Sequence, residues 1–334
     1  MNKNRVILVG VLVLGALTTA PAKGQLDREA MERARMKGSN VKVCEQYTHK
    51  YVKGEPKAEG YLTTKTTYDK EGNPLLVVNY RANGDESSRL YYTYNDKGQR
   101  IEYRKEEAWK DDKTGKISMR TFFKQRFTYN TRGDKRSEVG FDGAANYRVM
   151  YNYLPNGKLA DITKYDGDNS ISERWTYSYD GKKQIIEVMP TNRQPYRVEK
   201  VFDNEGRLLS DKQIGQDKQE MRRVEFTYDQ AGRVATEAEF YGGKPRSFQR
   251  YRYDTNGQLL EVKQRRPDGQ ELESNAYKYD KDGNLVEERW IDKDPKLVST
   301  KVSEFEASGD MVRMESYYAP YRYRVMYTYK YERF

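Results

Sequence analysis

The chain has 334 residues, of which 36% are hydrophobic and 34% charged. A composition this polar is common in disordered proteins, but 30 Tyr, 10 Phe and 3 Trp give an aromatic content that disordered chains lack. The formal net charge is +10, yet 51 acidic residues are mixed with the basic ones, which favours a solvated surface over a nucleic-acid-binding one. Strands with one buried and one solvated face account for both the polarity and the aromatic content.

The first 22 residues have the layout of a secretory signal peptide. Lys3 and Arg5 precede an apolar run over residues 6–17, and residues 20–22 have the small-x-small form of a cleavage site. The apolar run is shorter than the roughly 20 residues of a spanning helix, so we expect no membrane insertion. The sequence predicts cleavage after Ala22 and export to the periplasm, the outer membrane surface or the medium.

Residues 23–60 are predicted to form an N-terminal segment with a short helix and a capping strand. A polar helix pattern runs from Gln25 to Met36, ends at Gly38, and is expected to cap the first edge of a sheet. Cys44 and His49 are the single cysteine and the single histidine. A lone cysteine forms no internal disulfide. We interpret the two as a small packed Cys near an exposed His rather than as a nucleophile and its base.

A repeat occupies most of the remaining chain. An anchor aromatic, usually followed by Asp or Asn, precedes a Gly by four positions in nine of ten units, and most anchors are 23 to 26 residues apart. The nine full units are Tyr68–Gly72, Tyr94–Gly98, Tyr129–Gly133, Tyr153–Gly157, Phe202–Gly206, Tyr228–Gly232, Tyr253–Gly257, Tyr279–Gly283 and Phe305–Gly309, and Tyr179–Gly181 is a shortened one.

The residues of the repeat are typical of a β-turn. Asp or Asn accepts hydrogen bonds from backbone amides two residues on, and Gly adopts positive φ without steric cost. A second turn is indicated midway through most units by Asn83-Gly84, Asp142-Gly143, Asp166-Gly167, Gly242-Gly243 and Asp268-Gly269. Each unit is therefore predicted to be two strands of about nine residues joined by turns.

The strand before each anchor alternates between apolar and polar residues. Val224, Phe226 and Tyr228 share one face, whereas Arg223 and Glu225 lie on the other. Residues 61–334 are thus predicted to form an all-β antiparallel meander of about ten hairpins. Native twist curls a sheet this long into a wide curl, spiral or shell, with aromatics inward and charges outward. Whether the sheet closes and whether the protein forms oligomers stay open at this point.

At these residues the chain resembles the YD-repeat family, also called RHS repeats. The stretches Tyr228–Val234 and Phe202–Leu208 match the family pattern of aromatic, Asp, two variable residues, Gly, Arg and an aliphatic residue, and the resemblance covers about residues 60–315. The family implies hollow β-shells around a toxic C-terminal domain, adhesive surface assemblies, or carbohydrate binding. This chain is shorter and shows no cargo domain or release segment after its last repeat, so toxin delivery is not expected.

Few residues point to catalysis or to a cofactor. With His49 as the single histidine, a site of several His ligands cannot form, and no Ser-His-Asp triad is predicted. The run Asp280–Gly283 resembles half of a calcium loop, but its Gly is at the fourth position, where a β-turn needs it. We therefore expect a protein that is not an enzyme and that holds no metal or other cofactor.

The C-terminal segment carries the candidate binding residues. Tyrosines alternate with Arg and Lys along this segment, and an exposed row of aromatic rings beside Arg can stack on sugars. The same alternation also fits a terminal strand that buries its tyrosines. The candidates are Tyr321, Arg322, Tyr323, Arg324, Tyr327 and Tyr329. The sequence thus favours an exported binding scaffold for a glycan or another envelope polymer. The alternative is a structural component that binds envelope proteins through an exposed edge strand at residues 321–331.

Overall fold

The computed structural model describes residues 21–143, 145–292, 294 and 296–334, so the first 20 residues of the predicted signal peptide lie outside the described residues. The described elements are α1 (Pro21–Gly38), β1 (Val41–Val52), β2 (Glu55–Pro56), β3 (Tyr61–Tyr68), β4 (Pro74–Tyr80), β5 (Glu86–Tyr94), β6 (Arg100–Lys110), β7 (Ile117–Tyr129), β8 (Lys135–Phe141), β9 (Asn146–Tyr153), β10 (Leu159–Asp166), β11 (Ile171–Asp180), β12 (Lys183–Pro190), β13 (Tyr196–Phe202), β14 (Leu208–Gly215), β15 (Glu220–Tyr228), β16 (Val234–Tyr241), β17 (Lys244–Tyr253), β18 (Leu259–Arg265), β19 (Glu271–Tyr279), β20 (Leu285–Ile291), β21 (Val298–Phe305), β22 (Met311–Tyr318), a 3-10 turn (Ala319–Tyr321) and β23 (Tyr323–Arg333).

The repeat turns have the predicted geometry. In the unit at Tyr228, the Oδ1 atom of Asp229 accepts hydrogen bonds from the amides of Ala231 and Arg233, and the amide of Gly232 donates to the carbonyl of Asp229. Gly232 has a φ of +79°, a left-handed conformation that costs a residue with a Cβ roughly 1 kcal/mol. The register shifts by one residue at the turn of each of the nine full units. These turns therefore end in a bulge that pairs the anchor aromatic with the residue two positions after the Gly, as Tyr228 pairs with Val234.

Six of the eight anchor tyrosines also tie their unit to the preceding one. The Tyr228 hydroxyl donates to the carbonyl oxygen of Leu208 at 2.7 Å, and Leu208 lies two residues after Gly206. The same relation between a tyrosine hydroxyl and a carbonyl joins Tyr129 to Arg100, Tyr153 to Lys135, Tyr179 to Leu159, Tyr253 to Val234 and Tyr279 to Leu259. The repeat is thus held by side-chain bonds as well as by its backbone ladder.

The meander closes on itself, a point that the sequence left open. Consecutive strands pair antiparallel from β3 to β23, and β1 pairs with β3 on one side and with β23 on the other, from Val41↔Arg333 to Lys50↔Val325. Across the described residues these 22 strands form a closed barrel, while β2 pairs only with the end of β1. Closure satisfies the backbone groups that an open sheet leaves unpaired at its edges.

The aromatic face of the sheet carries the core. Tyr147, Ile162, Tyr177, Ile186 and Val198 are buried and form one cluster that crosses the strands from β9 to β13. Side chains converge on the inner face of a closed sheet and diverge on its outer face. The buried aromatic face is therefore the inner one, and the prediction of aromatics inward and charges outward agrees with this arrangement.

The N-terminal helix does not cap a sheet edge as predicted, because closure leaves β1 without a free edge. Met36 of α1 packs against Val41 and Tyr68 on the aromatic face. The turn at Gly72 lies directly against the helix, since a Cβ there would be 2.2 Å from the carbonyl oxygen of Arg33. The helix therefore lies against the inner face, next to the repeat turns at one end of the sheet.

Candidate functional site

The last hairpin and the end of β1 form a cleft at the opposite end of the strands from α1. Strands β22 and β23 are joined by the 3-10 turn, and β1 runs antiparallel to β23, so the ends of all three strands meet. The cleft has a volume of about 650 Å³, within the range of small-ligand sites. We call it the C-terminal cleft; it is lined by Lys50, Tyr51, Gly54, Tyr317, Arg322, Tyr323 and Arg324.

Arg324 is held between two aromatic rings on one side of this cleft. Its guanidinium carbon lies 5.5 Å from the ring centroid of Tyr51 and 5.3 Å from that of Tyr317. The Nε atom is 3.7 Å from a carboxylate oxygen of Glu315. Burial, followed by a hydrogen bond with Glu315, raises the pKa of Tyr51 to about 12, so this phenol stays neutral. The arrangement fixes one cation and two rings in the wall of the cleft.

Tyr323 and Arg322 form the open side of the cleft. Tyr323 is 53% exposed and stacks on Tyr318, with centroids 6.2 Å apart and planes 27° from parallel. Arg322 has a φ of +48°, the left-handed conformation that turns the chain into β23. Its side chain makes no ion pair with any residue that the structure describes. A ring face and a free guanidinium are therefore both available to a ligand.

The structure separates the six predicted residues into two groups. Arg322, Tyr323 and Arg324 line the cleft, and Tyr321 lies beside it in the turn with 83% of its surface exposed. Tyr327 and Tyr329 lie further along β23 on the inner face, half-buried like the tyrosines of other strands. Burial raises the pKa of Tyr329 to about 12 and also raises that of Tyr327.

Sequence reasoning missed Lys50, Tyr51, Tyr317 and Tyr318. A hairpin places the residues just before its turn opposite the residues just after it. Recognising a turn at residues 319–321 would therefore have predicted the pairing of Tyr318 with Tyr323. Tyr51 is far away in the sequence and reaches the cleft only because β1 pairs with β23.

The prediction of an exposed edge strand at residues 321–331 is wrong. Strand β23 is hydrogen-bonded to β22 along one side and to β1 along the other. Docking of a partner by strand addition needs a row of unpaired backbone groups, and β23 has none to offer.

The expectation of an exposed His49 is also wrong. His49 is buried, its Nδ1 donates to the carbonyl of Lys57 at 2.8 Å, and its Nε2 is 2.9 Å from the Thr328 hydroxyl. Cys44 is five residues earlier and therefore on the opposite face of β1. Burial raises the pKa of the Cys44 thiol to about 11, so the thiol is protonated at neutral pH and is a weak nucleophile.

The acidic residues of the turns are engaged by the backbone. The Oδ1 atom of Asp280 accepts hydrogen bonds from the amides of Asp282 and Asn284, both at 2.9 Å. The described residues contain no group of three or more His, Cys, Asp and Glu side chains that could hold a metal ion. In the same part of the chain, no helix has the length and apolar character needed to cross a membrane.

Comparison with solved structures gives remote similarities. A crystal structure of TcdB2-TccC3-Cdc42 shares 12% identity over 79% of this chain and 19% of that chain, with a TM-score of 0.26. A Photorhabdus luminescens Tc holotoxin pore shares 13% identity over 79% and 19%, with a TM-score of 0.24. A porin-like protein from Bacteroides uniformis shares 10% identity over 87% and 98%, with a TM-score of 0.32. The chain thus covers about a fifth of the toxin chains that it resembles.

The comparison of sequences is more specific. Among curated proteins, none matches this chain. Residues 197–305 match the family model described as "Teneurin YD-shell", and this stretch contains the anchors from Phe202 to Phe305. The match confirms the resemblance drawn from the turn motif: over residues 197–305 this chain is similar to proteins with YD/RHS-type repeats.

Proposed function

We propose that this protein is a non-enzymatic shell of the cell envelope or cell surface, and that its C-terminal cleft binds a glycan. The observation that carries the proposal is the exposed ring of Tyr323 beside the guanidinium of Arg322, which makes no ion pair within the described part of the chain. Sugar rings present C–H faces that pack on aromatic rings, and their hydroxyls accept hydrogen bonds from guanidinium groups. Closure of the sheet supports a scaffold role, because it leaves a rigid frame with few movable parts.

The cleft has the features of a preorganised site. Arg324 is fixed by Tyr51 and Tyr317, and Tyr323 is fixed by stacking on Tyr318. Ordering these side chains before a ligand arrives lowers the entropy lost on binding. The inner-face residues Tyr327 and Tyr329 are not part of this proposal, since neither lines the cleft.

A calorimetric screen of the full chain against cell-envelope glycans, at low and at high salt, tests the glycan proposal. We expect saturable binding that persists at high salt, because ring stacking is little screened by ions. Tyr323→Ala should weaken this binding by about tenfold or more, taking as a guide the roughly 1–3 kcal/mol that stacking of one nucleobase on an aromatic ring contributes.

The matched control is Trp109→Ala, which removes an aromatic side chain with 52% exposure from another hairpin. It should leave glycan affinity unchanged. Equal losses in the two variants would assign the effect to general surface aromatics. If the parent chain binds no glycan at either salt concentration, the proposal fails.

Export is the second part of the proposal, and it derives from the predicted signal peptide. Cell fractionation should place the chain outside the cytoplasm. Mass spectrometry of the isolated protein should show Lys23 as its first residue, because cleavage is expected after Ala22. An intact Met1 in a cytoplasmic fraction would contradict this part without affecting the cleft.

A further inference from the structure

Two repeat units carry a cation where the other full units carry an apolar side chain. In each of the nine full units, the residue two positions after the motif Gly pairs with the anchor aromatic. Seven of these nine residues are apolar, namely Pro74, Leu159, Leu208, Val234, Leu259, Leu285 and Met311. The other two are Arg100 and Lys135, in the consecutive units anchored at Tyr94 and Tyr129. The turn itself therefore does not require a cation at this position.

The two cations lie in the same pocket. Arg100 and Lys135 both line a space of about 440 Å³ between α1 and the inner face of strands β3 to β8, which we call the helix pocket. This volume is within the range of small-ligand sites. The wall of the pocket on the sheet is largely aromatic, with the rings of Tyr68, Tyr92, Tyr94, Phe127 and Tyr129. The pocket thus combines an apolar wall with two positive charges.

Arg100 has aromatic neighbours but no carboxylate partner. Its guanidinium carbon lies 5.9 Å from the ring centroid of Tyr92 and 6.0 Å from that of Phe127. Across the described ranges of the chain it makes no ion pair. Lys135 lies 4.6 Å from the Phe127 centroid and has a single carboxylate oxygen nearby, that of Glu138 at 3.4 Å. Because a partly desolvated cation is unfavourable without a counter-ion, this pocket favours an anion.

Carboxylates of the helix offer a competing explanation, in which the two cations hold α1 on the sheet. Glu29 and Glu32 of α1 line the helix pocket as well. Within the described part of the chain, however, neither makes an ion pair with Arg100 or with Lys135. The helix is held instead by Met36, which packs in the core, and by the ion pair of Lys37 with Glu71. The cations are therefore not needed for docking of the helix.

We propose that the helix pocket binds an amphipathic carboxylate of the fatty-acid type. The guanidinium group of Arg100 matches a carboxylate through two parallel hydrogen bonds, and Lys135 adds a second positive charge. The hydrocarbon chain packs on the aromatic wall and on Val77, which removes apolar surface from water. A small inorganic anion fits this pocket less well, because it leaves the aromatic wall uncovered.

The helix pocket is separate from the C-terminal cleft. It lies next to α1, at the opposite end of the strands, and it binds a ligand of a different chemical class. The proposal goes beyond the proposed function and does not depend on it. Tyr323→Ala should leave binding in the helix pocket unchanged, and a change at Arg100 should leave binding in the cleft unchanged.

Calorimetry of the full chain with laurate, below the concentration at which laurate forms micelles, tests the helix pocket. Two further probes separate the parts of the ligand. Acetate has the carboxylate without the chain, and dodecyltrimethylammonium has the chain with a positive charge. We expect saturable binding of laurate and no comparable binding of either probe, because the pocket recognises both an anion and an apolar chain.

Arg100→Leu is the decisive variant. It should weaken laurate binding by about tenfold or more, because it removes a hydrogen-bonded charge pair. Leu occupies the same position in the units of Leu159, Leu208, Leu259 and Leu285, so the variant should fold and its melting temperature should not fall. Lys135→Leu is a second variant at the equivalent position, and it should also weaken laurate binding.

Arg148→Leu is the matched control. Arg148 also lies over an aromatic ring, 4.5 Å from the centroid of Tyr165, and makes no ion pair in the part of the chain that the structure describes. It alternates with the buried residues Tyr147 and Val149 and is therefore on the outer face of β9. We expect this variant to keep laurate affinity within about a factor of two, which allows for the change in net charge.

Four outcomes would overturn the proposal. The parent chain could bind no laurate, or it could bind dodecyltrimethylammonium as tightly as laurate. Equal losses in Arg100→Leu and Arg148→Leu would assign the effect to diffuse attraction. A lower melting temperature for Arg100→Leu with unchanged laurate affinity would show that this cation stabilises the fold and binds no ligand.

Discussion

The hydroxyl of Tyr331 donates a 2.8 Å hydrogen bond to the carbonyl oxygen of Met311. Met311 lies two residues after Gly309, so Tyr331 makes the bond of an anchor tyrosine. Its distance from the previous anchor, 331 minus 305, is 26 residues, which is the period of the repeat. The last strand is thus the first half of an eleventh hairpin, and β1 supplies the second half.

We predict that Tyr331→Phe lowers the free energy of unfolding by about 1 kcal/mol, because it removes a part-buried hydrogen bond and leaves the Met311 carbonyl without this donor. Urea unfolding followed by circular dichroism measures the loss. Tyr321→Phe, at a residue that is 83% exposed, serves as the control and should change stability little. Equal effects in the two variants would show that the anchor bond is not a stabilising contact.

We predict that Gly206→Ala destabilises the protein by about 1 kcal/mol through backbone conformation alone. Gly206 has a φ of +77°, and a Cβ there would meet no atom within 4 Å. Gly38→Ala is the matched comparison, since that site is equally open but its φ is not positive. Thermal unfolding of the two variants should differ, with only Gly206→Ala lowering the midpoint. Similar midpoints would contradict the left-handed turn.

The stability of the fold is predicted to depend on Arg333, at the end of β23. Its Nη2 atom lies 2.9 Å from Asp310, whose side chain is 0% exposed, and 2.7 Å from Glu306. Arg333→Leu leaves a buried carboxylate without its cation, so we expect a loss of about 3 kcal/mol in denaturant unfolding.

Arg132→Leu provides the comparison for Arg333→Leu. It breaks an exposed pair with Asp134 at a similar distance, 3.0 Å, and should cost under about 1 kcal/mol. If Arg333→Leu costs no more than this control, the pair with Asp310 does not stabilise the fold.

Ionisation of Glu237 is predicted to make the free energy of unfolding depend on pH. Burial raises its pKa, while a hydrogen bond donated by Tyr251 lowers it. Because the folded pKa is the higher one, the folded state keeps a proton that the unfolded state releases. The free energy of unfolding therefore falls as pH rises from the unfolded pKa through the folded pKa. Glu237→Gln should remove this decline and be more stable than the parent at pH 7.

Tyr251→Phe tests the cause of the shift. Loss of the donated hydrogen bond should raise the pKa of Glu237 further and extend the decline to higher pH. Thermal midpoints recorded across the acid range for both variants measure these slopes. A parent whose stability rises through this range, with no change in Glu237→Gln, would contradict burial as the dominant effect.

The repeat and its turns were predictable from local chemistry. Asp229 and Gly232 need only their own four-residue segment to specify a turn, and Val224, Phe226 and Tyr228 need only their alternation to specify a buried face. For the same reason the predicted number of hairpins, about ten, was close to the observed number. The hairpin that was missed pairs β23 with β1, two strands that are separated by nearly the whole chain. Only part of the cleft was predicted. Arg322, Tyr323 and Arg324 are adjacent in the sequence and were found together, whereas Tyr51 is far from them in the sequence.

By itself the sequence determined the turn geometry, the two faces of the strands and the repeat period, because each depends on residues within one hairpin. Tertiary structure decided that β1 pairs with β23, that His49 is buried, and that the expected free edge is absent. These features depend on accumulated twist over 22 strands, which brings Val41 opposite Arg333. Curvature summed over a whole sheet is a property of no single segment, so no local pattern predicts where it brings the ends together.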